Sequence, residues 1–159
     1  GRCDVEASGG AVSNNVVAHC NDFGIDLSRV RGVLVSHNTL VNTAGIDARQ
    51  ASTRATAVGN LVEGRVRDRD GAVLEQRDNK QVGSLDVLLK APDAFDLRWN
   101  EPSHDSRATP ETERDFCGQR RPPLSPPGAT VRPRCERSPS TGASGLPGDS
   151  IRQAHARHP

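Results

Sequence analysis

Short β-rich runs separated by Gly, Asn and Asp recur along residues 10–82. Val16-Val17-Ala18, Val33-Leu34-Val35, Thr56-Ala57-Val58 and Ala72-Val73-Leu74 are too short for globular helices and rich in β-branched residues, so each predicts a strand. Between them lie second runs, Gly24-Ile25-Asp26-Leu27, Gly45-Ile46-Asp47-Ala48 and Arg65-Val66-Arg67-Asp68. Ile46 follows Ile25 by 21 positions and Val66 follows Ile46 by 20. A period of that size is the mark of a solenoid, in which each stretch winds once around a common axis. The fold class expected is therefore all-β, a right-handed parallel β-helix of about three to four turns.

Asparagines keep the same beat. Asn15, Asn38, Asn60 and Asn79 are 23, 22 and 19 positions apart, each beside a strand run. In stacked parallel strands, like positions of successive turns lie about 4.8 Å apart, so inward amides can hydrogen-bond along the stack as a ladder. Asn is also a good turn residue, and that explanation is enough for any one of them. Four at one spacing favour the ladder.

A leucine-rich repeat is the nearest competing architecture, because Val33-x-Val35-x-x-Asn38-x-Leu40 fits its strand and Asn pattern. The next turn leaves that frame, since Val58 stands only two positions before Asn60 and no helical segment intervenes. A β-sandwich calls for clean alternation and hairpin turns, which these runs lack.

Composition divides the chain. Val, Ile and Leu number 25 in residues 1–100 and 4 in residues 101–159, whereas 10 of the 11 prolines lie after position 100. Residues 1–100 are thus expected to form the coil and residues 101–159 a Pro/Arg/Ser-rich, largely disordered tail, too poor in apolar side chains to offset the entropy of ordering. With one Trp, three Phe and no Tyr, any core must be aliphatic. A chain that starts at Gly1 and has no Met is expected to be a processed product or a fragment. No apolar run reaches 18 residues, so no membrane span is expected.

The net charge is +1 with acids and bases interspersed, which lacks the footprint of a nucleic-acid binder. In the tail, Arg120, Arg121, Arg132, Arg134 and Arg137 are largely cancelled by Glu111, Glu113, Asp115, Glu136 and Asp149. Cys3, Cys20, Cys117 and Cys135 form an early and a late pair without metal-type spacing, so no metal is expected. Four cysteines suit an exported protein with two bridges, and the sequence-local pairing, Cys3 with Cys20 and Cys117 with Cys135, is the expected one of three; four unpaired thiols are the alternative.

The stretch His19-Cys20-Asn21-Asp22-Phe23-Gly24-Ile25-Asp26-Leu27, followed by Ser36-His37-Asn38-Thr39-Leu40-Val41-Asn42-Thr43 and Gly45-Ile46-Asp47, resembles secreted right-handed parallel β-helix repeat proteins with pectate-lyase-like coils. Lys90-Ala91-Pro92-Asp93-Ala94-Phe95-Asp96-Leu97-Arg98 looks like the line with which such proteins leave their last turn. Asp115-Phe116-Cys117-Gly118-Gln119-Arg120-Arg121-Pro122 is similar to their closing "Asp-Phe-x-Gly-x-x-Arg-Pro" line. The resemblance covers roughly residues 8–123. Where the family finishes with an "Asp-Ile-Gly-Ala-x-Glu" strand, this chain has Pro127-Gly128-Ala129-Thr130, so no such strand is expected.

The resemblance implies a C-terminal portion of a secreted or cell-surface protein associated with carbohydrate, related to polysaccharide lyases, with Ca²⁺ a cofactor of the parent protein at most. Stacked turns build ridges of exposed side chains. Asp26, Asp47 and Asp68, each 21 apart, are expected in one outward row, with Arg49, Arg67 and Arg69 close by. Acids beside arginines suit an acidic polysaccharide, because Arg grips carboxylates bidentately and acids can hold Ca²⁺. The plainer explanation is a solvated face that keeps the coil soluble.

No set of Lys, Arg and acid matches a lyase motif, since the two lysines, Lys80 and Lys90, lie at the trailing end. No catalytic residue is therefore assigned. His19 and His37, 18 apart, are expected as turn or surface residues, and no Gly-x-Ser-x-Gly elbow frames a nucleophile. A non-catalytic adhesive or spacer β-helix is the alternative function.

Overall fold

The computed structural model describes residues 4–101 and 106–130. It is a right-handed parallel β-solenoid of about four windings. Three parallel sheets run along the coil. The first contains β1 (Ala7–Ser8), β2 (Ala11–Ser13), β5 (Val30–Ser36), β8 (Arg54–Val58) and β11 (Val73–Arg77). The second contains β3 (Val16–Ala18), β6 (Thr39–Val41), β9 (Leu61–Glu63) and β12 (Lys80–Val82). The third contains β4 (Ile25–Ser28), β7 (Gly45–Arg49) and β10 (Arg65–Asp68). The chain visits them in rotation, one winding per visit to all three.

Register explains the periods read from the sequence. Ile25 pairs with Ile46 and Ile46 with Val66, so these three stack on one inward line. Parallel lines are formed by Val12, Val35 and Ala57, by Val17, Leu40 and Val62, and by Val33, Ala55 and Leu74. Together these side chains fill the coil with an aliphatic core. The alternation of strand side chains puts every second residue inside, and with three short strands per winding the interior is narrow enough for Val and Ala to close it.

The corners repeat as well as the strands. The residue before each ladder asparagine has positive φ: Asn14 (57°), His37 (52°), Gly59 (64°) and Asp78 (53°). This left-handed residue bends the chain from the first sheet into the second. Gly59 has a further reason to lack a side chain, because a Cβ there would stand 2.3 Å from Ser106 Oγ and 2.7 Å from the His37 ring.

The coil ends in a side-chain cap. In the last winding the inward positions after Ala57 and Val62 are Gln76 and Gln81. Gln81 Oε1 accepts from the Val66 N–H at 2.7 Å, and Gln76 Nε2 donates to the Val66 carbonyl at 3.3 Å. Two amides thus satisfy groups of β10 that a further strand would otherwise have paired.

A hairpin follows, β13 (Leu89–Ala91) paired antiparallel with β14 (Asp96–Trp99). Leu85 and Leu89 form a second, outer core against Val41 and Leu61 of the second sheet, with Leu97 and Trp99 alongside. Asp96 and Arg98 from the family-like line bond each other, Nε to Oδ1 at 2.7 Å.

Residues 106–130, expected as part of an unpacked tail, lie against the coil as an irregular strap. Its regular structure is limited to β15 (Ser106–Arg107) paired with β16 (Leu124–Ser125) and a short 3₁₀ turn at Pro110–Thr112. Composition misleads here because the strap is held by polar anchors rather than by aliphatic burial. Arg121 is buried, 4 % exposed. It donates to Asn14 Oδ1 (3.0 Å), Ser125 Oγ (3.3 Å) and the carbonyls of Pro126, Gly128 and Ala129. Asp115 Oδ1 accepts the N–H groups of Cys117 and Gln119. Asp115 and Arg121, two residues of the closing line in the sequence, therefore form the loop and the clamp of the strap.

Residues 127–130 form no strand, as expected. They pack nonetheless, with the Gly128 N–H on the Gly59 carbonyl (2.8 Å) and the Ala129 N–H on Thr39 Oγ1 (2.9 Å). The remainder of the expected tail, residues 131–159, lies outside the described residues. Among the described residues no helix is long and apolar enough to cross a membrane.

Candidate functional site

The outward face of the third sheet carries the densest charge cluster. Asp26 stands beside Asp47 in register, and Asp47 beside Arg67. Asp68, expected as the third member of the acidic row, is displaced by one position and pairs with Ala48. The reason is the length of the third winding: it advances by 20 residues rather than 21, so Arg67 takes the place in line.

The row is an ion-pair network. The Asp47 side chain is wholly buried, and both its oxygens are engaged. Arg67 Nε donates to Oδ1 at 2.8 Å and Arg69 Nε to Oδ2 at 2.9 Å. Arg49 grips Asp26 with Nε at 3.2 Å and Nη2 at 2.9 Å, and Arg69 Nη1 reaches Asp70 at 2.9 Å. The hydrogen bond that Arg69 donates to Asp47 raises its pKa above its already high range. Arg67 also lies over the Phe23 ring, 5.0 Å from its centroid, within cation–π range.

This geometry settles what each group can do. Asp47 sits beneath two guanidinium groups and has no free oxygen for a Ca²⁺ ion. The arginine side chains are 38 to 44 % exposed. Arg67 and Arg69 turn their Nε atoms to the buried Asp47, whereas Arg49 pairs with Asp26 at the surface. The ridge is thus a mixed charged face in which Asp47 alone lies beneath its arginines, while Asp26, Asp68 and Asp70 remain at the surface. Among the described residues no group of three or more His, Cys, Asp or Glu is placed to hold a metal ion.

The four asparagines meet along one edge of the coil. Asn15 gives both its backbone N–H and its Nδ2 to Asn38 Oδ1, each at 3.0 Å. Asn38 does the same to Asn60 Oδ1 (2.9 Å for both), and Asn60 to Asn79 Oδ1 (3.0 and 2.8 Å). The second amide hydrogen goes to a strand carbonyl: Val12 for Asn38, Val35 for Asn60 and Ala57 for Asn79. Asn38 and Asn60 are fully buried. Their role is structural, since every hydrogen-bonding group points along or into the coil.

The histidines part company. His19 is exposed, with its ring edge-on to Phe95 (centroids 6.2 Å apart). His37 occupies a corner, but one the strap covers completely. Its Nε2 lies 3.1 Å from Ser106 Oγ, and its Nδ1 has no hydrogen-bond partner among the described residues. Burial, reinforced by the nearby Arg121 charge, lowers its pKa to about 3. Burial also lowers Arg121, to about 10, against the opposing pull of Asp115. A Ser–His contact without a carboxylate on Nδ1 and without solvent access does not make a nucleophile.

That buried contact was invisible in the sequence, because Ser106 and His37 are 69 positions apart. Lys80 in β12 and Lys90 in β13 stand on elements other than the ridge. Cys20 is a free thiol, 3.8 Å from the Ala18 carbonyl, which corrects the expected Cys3–Cys20 bridge. It sits in the turn after β3, with its thiol turned toward its own strand. Cys117 is disulfide-bonded, and Cys3 and Cys135 lie outside the described residues.

Comparison with models of known protein families, with curated proteins and with solved structures returns no match for this chain.

Proposed function

We propose that this chain is a non-catalytic portion of an exported, carbohydrate-associated parallel β-helix, and that its arginine ridge rests against the carboxylates of an acidic polysaccharide. The observation that carries the reading is the pair Arg67 and Arg69 on the buried Asp47. One carboxylate fixes two guanidinium groups from beneath, so a ligand carboxylate meets them already oriented and little side-chain entropy is lost on contact. The flat face and the repeat along the coil suit an extended polymer better than a compact ligand.

Titration calorimetry of residues 1–159 with oligogalacturonate at low salt tests the reading. Saturable binding is expected, weakened at least fivefold in Arg67→Ala, with neutral dextran inert and no unsaturated uronate released. Binding that ignores the Arg67→Ala change, or none at all, overturns it. The second reading, a spacer coil, is favoured by the pairing of Asp26 with Arg49 and of Asp70 with Arg69, which leaves the ridge close to neutral.

A further inference from the structure

On the third-sheet face Arg49 pairs with Asp26, and Arg67 and Arg69 share Asp47. Arg65, the first residue of β10, differs from them. It is exposed, and among the described residues its side chain has no ion-pair or hydrogen-bond partner. Val66 points into the core, so strand alternation turns Arg65 to the same side as Arg67, roughly 6.6 Å away along β10. Arg69 follows, meeting Arg67 over Asp47. Cations therefore succeed one another along this strand, whereas across the windings the register neighbours of Arg67 are Asp47 and, beyond it, Asp26.

Arg65 also lines a groove of about 500 Å³ at the corner between the second and third sheets. The residue that follows each strand of the second sheet is His19, then Asn42, then Gly64, then Gly83. The corner thus loses its side chains over the last two windings, and the groove opens there. Gly64 has to stay bare, because a Cβ would stand 2.7 Å from the Ala44 carbonyl carbon. Two side chains of the groove are fixed by the coil itself. Glu63 Oε2 accepts the Asn42 N–H at 2.8 Å, which leaves Oε1 without a partner among the described residues. Gln81 Oε1 accepts the Val66 N–H at 2.7 Å, which leaves its amide N–H groups as donors.

We propose that this groove is a uronate subsite, in which Arg65 takes the carboxylate of one sugar and Glu63 Oε1 and the Gln81 amide take its hydroxyls. From there the polymer runs along β10, across Arg67 toward Arg69. The inference rests on the reading of the ridge as a polysaccharide-binding face and adds to it an anchoring residue, a subsite and a direction. A neutral sugar leaves the Arg65 charge unmatched, and a bare sulfate or phosphate sets a second anion against Glu63. A uronate carries a carboxylate for the one and hydroxyls for the other, and hydrogen bonds to both charged groups are the stronger kind.

Titration calorimetry of residues 1–159 at low salt with trigalacturonate, and with its methyl ester as the uncharged counterpart, tests the subsite. Arg65→Gln is expected to weaken trigalacturonate binding at least fivefold. Arg31→Gln, which removes one charge from an exposed position of the first sheet, is expected to change it less than twofold, and the methyl ester is expected not to bind. In nitrogen-15 spectra the Arg65 Nε–H signal is expected to move on titration, in the unaltered chain and in Arg67→Ala alike. An effect of Arg65→Gln no larger than that of Arg31→Gln, or equal binding of the methyl ester, overturns the subsite. If Arg67→Ala still weakens binding in that case, the ridge reading stands without it. Binding that is lost in Arg65→Gln and indifferent to Arg67→Ala supports the subsite and overturns the ridge, and no binding at all overturns both.

Discussion

The coil and the strap solve the same problem by different means. Within residues 11–82 each strand meets its neighbours through repeated register, and the interior is a set of aliphatic lines with one polar line, the asparagine ladder. Residues 106–130 have no repeat and few apolar side chains. They hold on through single anchors: Arg121 on Asn14, Ser106 on His37, Gly128 on Gly59 and Ala129 on Thr39. Those anchors reach three successive windings, and all lie on or beside the left-handed corner column. A repeating interior distributes stability over many equivalent contacts, whereas a strap concentrates it in a few polar ones, where desolvation makes each loss expensive.

The contrast is sharpest where one amide serves the whole stack. Asn60→Ala removes the acceptor for the N–H and Nδ2 of Asn38 and the donor to the Val35 carbonyl, all buried. A loss of about 3 kcal/mol is expected from stranding these groups. It should appear as a lower denaturant midpoint for a single transition that includes both neighbouring windings. A transition split between windings would show that the coil is less cooperative than its register implies.

The strap should yield locally. Arg121→Ala deletes its bonds to Asn14 and to the carbonyls of Gly128 and Ala129, at an expected cost of about 2 to 3 kcal/mol. Protease cleavage within residues 106–130 is expected to accelerate while the main unfolding transition of the coil stays in place. Loss of the coil transition would make the strap part of the same cooperative unit.

Acid provides the mildest separation of the two regions. The covered His37 ring titrates at about 3, far below its value of about 6.5 when exposed. Its burial is therefore without proton cost above pH ~6.5 and becomes progressively unfavourable as the pH falls toward 3. Between pH 6.5 and 5 the strap should lose about 2 kcal/mol, at about 1.4 kcal/mol per unit. Cleavage within the strap, followed against pH, is expected to rise through this window, and to be flat there in His37→Asn. A profile unchanged by that substitution would remove His37 as the cause.

How much was legible follows from the same contrast. The stacking of Ile25, Ile46 and Val66 and the meeting of Asn15, Asn38, Asn60 and Asn79 could be read from spacing, because in a solenoid the sequence period and the spatial neighbour are the same quantity. The row of Asp26 and Asp47 was readable for the same reason. Its third member was misassigned as Asp68, since a one-residue change in a corner moves every later side chain by one place and strand alternation then turns it to another line. The strap was read only as a polar tail. Nothing local in Ser106 or Arg121 announces a partner on the far side of the chain, and Arg121 looks like any other arginine in a basic run.

Sequence alone determined that residues 10–82 wind into stacked turns, because periodic Val, Leu and Ile can be buried together only by superposing the turns. It also determined the asparagine line, since a recurring amide beside a recurring strand has its own repeat as nearest neighbour. Tertiary structure alone decided that Asp47 disappears beneath Arg67 and Arg69, that Gln76 and Gln81 fold onto Val66 of β10, and that the strap covers His37. Each of these depends on which non-equivalent groups approach across a corner or along a surface, and no period encodes that.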